Sequence, residues 1–127
     1  MSQPSALPLP LLIFGALLST QLILVVISLV VEPTGNNPSI GPFLVLPAAA
    51  TAGLSLVAPH IFGPKVDRFT LHIIRWALAE SATLFGFIIA HVGAPRLFQA
   101  ACTAMALVAM FAAFPPRDLA PGQRRGR

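Results

Sequence analysis

One acidic residue in the middle of a long apolar segment is the feature of this sequence most capable of chemistry. Glu80 lies near the centre of the run 75–91, which is long enough to cross a bilayer and holds no other acid. A carboxylate at that depth costs roughly 2.5–3.5 kcal/mol on insertion scales. Glu80 therefore needs a polar partner, a bound proton or a bound cation, and it is the first candidate functional residue.

Hydroxyl and amide side chains at similar depth are candidate co-ligands for Glu80. Thr83 lies one helical turn after Glu80 on the same face, at about 100° per residue, and Ser81 is adjacent in sequence. Thr51 and Gln21 lie near the middle of two other apolar segments. We predict that these five residues form a site for a proton or a cation. The alternative is a neutral Glu80 that makes one interhelical hydrogen bond, with an average value of about 0.6 kcal/mol.

The composition requires a membrane around these residues. Of 127 residues, 56% are hydrophobic and 9% are charged, so a soluble domain would expose large apolar patches. Several membrane-spanning helices fit instead. We predict an all-α polytopic membrane protein with one transmembrane domain over 1–116. Its four spans are predicted at about 9–31, 42–62, 69–92 and 95–114.

Turn residues and prolines set the limits of the predicted spans. Pro47 and Pro59 each remove a backbone hydrogen bond from the second span, which predicts a bend or ragged ends there. Asp67 is the predicted N-cap of the third span. Residues 117–127 are basic and are predicted to form a disordered tail.

The basic residues predict the orientation. With four spans, both termini and the turn between the second and third spans share one side. That side holds seven of the eight Lys and Arg residues, and Arg96 alone is on the other side. The positive-inside rule then places both termini in the cytoplasm, and we predict a bacterial cytoplasmic membrane. Six of the basic residues are expected to meet anionic lipid headgroups, each contributing about 1 kcal/mol: Lys65, Arg68, Arg117, Arg124, Arg125 and Arg127.

The segment 77–90, Ala-Leu-Ala-Glu-Ser-Ala-Thr-Leu-Phe-Gly-Phe-Ile-Ile-Ala, resembles a known helix. It is similar to the carboxylate-bearing helix of the c subunit, or proteolipid, of rotary ATP synthases. The shared features are the small-Leu-Ala-Glu lead-in, an aromatic residue five positions after the acid, the following glycine and the β-branched run. The resemblance covers about 43–92. It implies that Glu80 is the ion-binding carboxylate and that Ser81 supplies a ligand, as in sodium-binding members.

Other kinds of site find little support in the sequence. His60 and His72 are a conceivable axial pair for haem b, but each serves equally well as an interfacial residue. Cys102 behaves as a small apolar residue in mid-span. No glycine-rich phosphate loop and no aromatic platform for nucleic acid accompanies the basic residues. We expect no enzyme, no cofactor, no metal and no nucleic-acid partner.

These features predict two functions. The first is a small membrane protein with a c-subunit-like hairpin, in which Glu80 binds a proton or cation within an oligomer or a larger membrane complex. Its partners would be the lipid bilayer and other membrane subunits or copies of itself. The alternative is a non-catalytic accessory or scaffold subunit of a respiratory or transport complex.

Overall fold

Four α-helices make up the protein. The structure is a computed structural model that describes residues 8–119. The helices are α1 (Leu9–Val30), α2 (Gly41–Phe62), α3 (Arg68–His91) and α4 (Arg96–Ala112), and a short 3-10 helix (Pro38–Ile40) leads into α2. No strand occurs within the described residues, so the predicted all-α class and the number of helices are confirmed.

The helices differ in whether their length suits a membrane. α1, α2 and α3 have 22, 22 and 24 residues and are long and apolar enough to cross one. α4 has 17 residues, about 26 Å at 1.5 Å per residue, which is the lower end of the spanning range. It is shorter than the predicted 95–114 span because Pro115 and Pro116 cannot donate the amide hydrogen bonds that would extend it.

Local signals fix where α3 begins and ends. The Asp67 side chain accepts a hydrogen bond from the Thr70 amide at 3.1 Å, which confirms the predicted N-cap. After α3 the chain turns at Gly93, whose φ is +80°. A Cβ at Gly93 would collide with the carbonyl oxygen of Gly35, so this turn and the loop before α2 can approach only through glycine.

α3 is the central helix and packs against each of the other three helices, while α2 also packs against α4. Small residues allow the close approach. A Cβ on Gly86 would lie 3.0 Å from the Cβ of Cys102 on α4. α1 packs against this core along a narrow row, in which Phe14, Gln21 and Ser28 are buried at seven-residue intervals. The remainder of α1 is mostly exposed or half-buried.

α2 continues as one helix through Pro47 and Pro59, so the ragged ends predicted at these prolines do not occur. Pro59 has no amide to pair with the Ser55 carbonyl four residues earlier. That carbonyl instead accepts a hydrogen bond from Nε of Arg75 on α3, at 3.0 Å. A side chain of the neighbouring helix therefore satisfies the backbone group that proline leaves unpaired.

The start of α1, the α2–α3 turn and the end of α4 lie at one end of the bundle, as the predicted topology requires. The Phe14 ring lies 5.9 Å from Phe111 and 5.1 Å from Phe114, measured between centroids. Arg68 forms a salt bridge of 3.2 Å with Asp118. The cytoplasmic location of this end stays a prediction.

The first residues of the predicted tail pack against the bundle. Leu119 is only 4% exposed and belongs to the apolar core, and Asp118 is the partner of Arg68. Lys65 and Arg117 are exposed at the same end, where lipid headgroups were predicted to bind. Three further predicted headgroup residues lie outside the described residues: Arg124, Arg125 and Arg127.

Candidate functional site

Glu80 lies at the middle of α3. Twelve residues of the helix precede it and eleven follow, so it is about 17–18 Å from each end at 1.5 Å per residue. The depth predicted from sequence therefore agrees with a helix that is long and apolar enough to cross a membrane.

The Glu80 side chain lies at the border between the interior and the outside of the bundle, and it is half-buried. On one side of it runs a buried row of α3 that includes Trp76, Thr83 and Ala90. Within the described residues Glu80 has no hydrogen bond and no ion pair. The row on its other side is exposed and consists of Ala77, Leu84 and Ile88.

One ring contact and one shared cavity indicate the register of α1 against α3. The Phe14 ring lies 5.8 Å from the Trp76 ring, and Ser28 lines the same small cavity as Ala90. Each pair is separated by 62 residues, from 14 to 76 and from 28 to 90, so the two helices run in the same direction with a constant offset. The same offset places Gln21 level with Thr83, one turn from Glu80.

Gln21 and Thr83 are buried without hydrogen-bond partners. Each is 1% exposed. Within the described residues, the buried side-chain nitrogen and oxygen atoms that lack a partner are Nε2 and Oε1 of Gln21 and Oγ1 of Thr83. An unmatched buried polar group typically costs about 1–3 kcal/mol. We call Gln21, Glu80 and Thr83 the Glu80 layer, and it has unused hydrogen-bonding capacity at the level of the acid.

The other two predicted ligands are engaged within their own helices. The Thr51 hydroxyl donates to the carbonyl oxygens of Pro47 and Ala48, each at 3.0 Å. The Ser81 hydroxyl donates to the carbonyl oxygen of Ala77 at 2.9 Å. The register thus brings Gln21 and Thr83 to within about one helical turn of Glu80 along α3, while the Thr51 and Ser81 hydroxyls donate their protons within their own helices.

A second polar layer crosses α3 closer to the α2–α3 turn, and we call its residues Ser55, Arg75 and Trp76 the Arg75 layer. The Ser55 hydroxyl donates to the Arg75 carbonyl at 2.8 Å, in addition to the bond from Arg75 to the Ser55 carbonyl. Arg75 Nη2 also lies 3.4 Å from the Ala112 carbonyl oxygen. Trp76 Nε1 donates to the carbonyl oxygen of Ala113 at 2.7 Å.

The Arg75 guanidinium turns inward to backbone carbonyls, and among the described residues it forms no ion pair with Glu80. A signal for its role was present in the sequence. Pro59 and Pro116 stand four residues after Ser55 and Ala112, so both carbonyls lack a helical amide donor.

Polar side chains also cluster at the opposite end of the bundle, which we call the His91 end. Gln99 Nε2 donates to the Ser28 hydroxyl. His91 Nε2 lies 3.1 Å from the Thr34 hydroxyl, and the Phe87 ring stacks on the imidazole with centroids 6.1 Å apart. A small cavity opens between α1 and α3 at this end, lined by Ser28, Val31, Phe87, Ala90 and His91.

The histidines considered for haem occupy ordinary positions near the Arg68 end of the bundle. His60 is exposed. His72 has Nδ1 2.9 Å from the Arg68 carbonyl oxygen and its ring packs edge-on against Trp76. Among residues 8–119, no three histidine, cysteine or acidic side chains come together as a metal site would require.

The carboxyl groups at this end have defined partners. The hydrogen bonds from the Thr70 hydroxyl and amide lower the pKa of Asp67 below its ordinary value. The hydrogen bond from Arg68 lowers the pKa of Asp118, and the positive charge of Arg68 acts in the same direction. These two acids are thereby committed to capping and pairing, which leaves Glu80 as the acid at mid-helix without such a partner.

No protein-family model, no curated protein and no solved structure matches this chain. The resemblance of about 43–92 to the c subunit of rotary ATP synthases therefore stays a prediction. What the geometry carries is a helical, membrane-type protein with an acid at mid-helix beside two buried, unpartnered polar side chains.

Proposed function

We propose that this small integral membrane protein binds a proton or a monovalent cation at the Glu80 layer, within an oligomer or a larger membrane complex. The observation that carries the proposal is the pair of buried side chains, Gln21 and Thr83, which have no partner within residues 8–119 and lie about one helical turn from an acid at the middle of α3. Polar groups are expensive in hydrocarbon, and those that remain there usually mark a path or a site for ions.

The chemistry of the layer suits a small hard cation or a proton. Gln21 and Thr83 each offer an oxygen atom, and Glu80 offers a carboxylate, and such oxygen ligands suit hard cations. The Gln21 amide and the Thr83 hydroxyl also carry donor hydrogens, although neither group donates to the Glu80 carboxylate in the structure. The resemblance of the segment 77–90 to a c-subunit helix supports the same role for Glu80.

The exposed flank of Glu80 supports assembly with other helices. Ala77, Leu84 and Ile88 leave one side of the acid open, and the three residues of the layer alone provide few ligands. Another helix packed on this flank would shield the carboxyl group from lipid and add ligands. A second copy of the chain or another membrane subunit would supply that helix.

One observation favours the accessory-subunit function instead. The Thr51 and Ser81 hydroxyls donate within their own helices, so neither donates a hydrogen bond to the Glu80 carboxyl group. A half-buried Glu80 could then make a single hydrogen bond to a helix of a partner subunit. In that case the protein would be a scaffold, and Glu80 would not exchange an ion.

Carbodiimide labelling in lipid vesicles tests the two functions. We would use a Glu32→Gln background, because Glu32 is the other glutamate of the chain and is exposed. The reagent attacks the protonated carboxyl group. The proposal therefore predicts that labelling of Glu80 slows as pH rises from about 6 to about 9, or that it slows when sodium is added. A Glu80→Gln control should not be labelled.

The scaffold function predicts the opposite behaviour. Labelling that is unchanged across this range, with or without sodium, would contradict ion binding. Normal assembly of the Glu80→Gln variant would add to that conclusion. A native mass of the assembly would then distinguish a ring of identical chains from a single copy in a mixed complex.

A further inference from the structure

We propose that the Glu80 layer exchanges its ion with water through the His91 end of the α1–α3 interface, while aromatic side chains close the other end. This inference rests on the proposed function, because it names the route by which a proton or cation would reach that site. It concerns the buried row of α1 and the α3 and α4 side chains that face it.

The buried row of α1 changes in polarity along its length. At seven-residue intervals it places Phe14 near the Arg68 end, Gln21 at the middle and Ser28 near the His91 end. Seven residues correspond to about 10 Å along the helix. Of the buried α1 residues, those at the centre and toward the His91 end are polar, and those toward the Arg68 end are Phe14 and Pro10.

Four aromatic rings close the interface at the Arg68 end. The Phe14 ring, 3% exposed, contacts three rings in edge-on geometry at centroid distances of 5.8, 5.9 and 5.1 Å: Trp76, Phe111 and Phe114. The indole nitrogen of Trp76 is already bonded to the Ala113 carbonyl. Water entering here would find few polar partners, and buried water typically needs two to four.

The interface offers polar groups toward the His91 end, beside a cavity of about 10 Å³, which is about the size of one water molecule. Ser28 and His91 line the cavity between α1 and α3, and Gln99 reaches the Ser28 hydroxyl from α4. Between Gln21 and Ser28, the half-buried α1 side chains are the apolar Leu24 and Val25, so the proposed water path has to open past them. A file of about three or four waters, spaced at hydrogen-bond distance, would connect the cavity to Gln21 and Thr83.

Such a file would give the unpartnered atoms the partners they lack. The Gln21 amide has two donor hydrogens and an acceptor oxygen, and the Thr83 hydroxyl is both donor and acceptor. Buried polar groups in proteins are overwhelmingly bonded to protein or to ordered water. If the Arg68 end is cytoplasmic, as the basic residues predict, access is from the opposite side of the membrane.

Cysteine accessibility tests this route directly. Single cysteines would replace Ser28, Thr83 and Phe14 in a Cys102→Ala background, with the protein oriented uniformly in phosphatidylcholine vesicles. A small, positively charged, membrane-impermeant thiosulfonate would be added from one side at a time. Phe14→Cys is the matched control, because Phe14 is a buried residue of the same α1 row as Ser28.

We expect Ser28→Cys and Thr83→Cys to react about tenfold faster, or more, from the His91 side than from the other side, since reaction follows exposure of the thiol. Phe14→Cys should react from neither side. Equal rates from the two sides, silence of Thr83→Cys, or a Phe14→Cys rate that matches Thr83→Cys would each overturn the proposal. If Thr83→Cys fails to insert, Gln21→Cys at the same level replaces it.

The route and the ion site can fail independently. Labelling of Glu80 that depends on pH, together with a silent Thr83→Cys, would leave the proposed function standing and remove the route. Labelling that does not depend on pH, together with one-sided reaction of Thr83→Cys, would leave a hydrated interface that serves no ion at Glu80.

Discussion

The Arg75 layer and the Glu80 layer cross the same helix about 7–8 Å apart, and they differ in how their polar atoms are satisfied. In the first, Ser55, Arg75 and Trp76 each donate to a backbone carbonyl of a neighbouring helix. In the second, the Gln21 amide and the Thr83 hydroxyl have no partner among residues 8–119. Polar residues deep in the bundle can therefore serve in two ways: paired ones hold the helices together by hydrogen bonds, and unpaired ones keep hydrogen-bonding groups available for a ligand.

The backbone explains why the Arg75 layer is satisfied. Pro59 and Pro116 each leave a carbonyl oxygen without a helical donor, and Arg75 donates to both of these oxygens. No proline stands four residues after Gln21 or Thr83, so proline leaves neither of their backbone carbonyls without a helical amide donor. The first layer therefore stabilises the bundle, and the unused polar groups of the second support the ion binding proposed above.

The largest expected effect is in the Arg75 layer. Trp76→Ala should lower the free energy of unfolding by about 3–5 kcal/mol, because the side chain is fully buried among aromatic rings. Trp76→Phe keeps an aromatic ring but removes the donor to the Ala113 carbonyl, and should cost only about 1–3 kcal/mol. Reversible unfolding in mixed detergent micelles measures both, and equal losses would show that packing of the indole contributes little.

Arg75→Met should cost about 1–3 kcal/mol, since it leaves the Ser55 and Ala112 carbonyls without their donor. A second substitution, Pro59→Ala, restores an amide that can pair with the Ser55 carbonyl. The double variant should therefore lose less stability than the sum of the two single variants. Additive losses in this cycle would contradict the role assigned to Arg75.

Gln21→Leu should change the free energy of unfolding by less than a substitution in the Arg75 layer does, and it should not lower it. Removing an unpartnered buried amide should leave the unfolding free energy unchanged or raise it slightly. Ser55→Ala, the matched change of a partnered residue, should lower it by about 1 kcal/mol. If Gln21→Leu destabilises as much as Ser55→Ala does, then the amide has a protein partner and the contrast between the layers fails.

The smallest effect concerns pH at the α3 N-terminus. Because the folded pKa of Asp67 is lowered by its bonds to Thr70, its contribution to stability is present above the unfolded pKa of about 3.9 and is lost as pH falls through the folded value. Asp67→Asn retains a capping oxygen without the charge. As pH falls, the free energy of unfolding should decrease less steeply for this variant than for the unmodified protein. An identical pH dependence would show that the Asp67 charge contributes nothing to the cap.

Local signals in the sequence were sufficient to predict the helices and the position of Glu80 at mid-helix. Apolar length gives the spans, Asp67 gives the start of α3, and the position of Glu80 within its run gives its depth. Contacts between helices were less accessible. The pairing of Arg75 with the Ser55 carbonyl and the level shared by Gln21 and Thr83 depend on helix rotation and register, which periodicity within one helix does not determine.

The most direct test of the central claim observes the Glu80 carboxyl itself. In a Glu32→Gln variant, glutamate labelled with ¹³C at the carboxyl carbon gives one signal in solid-state NMR of the protein in lipid, because Glu80 is then the only glutamate. We predict that this signal moves between about pH 6 and pH 9, or moves when sodium is added, as the carboxyl exchanges a proton or a cation. A signal that stays fixed under all of these conditions would contradict ion binding at Glu80.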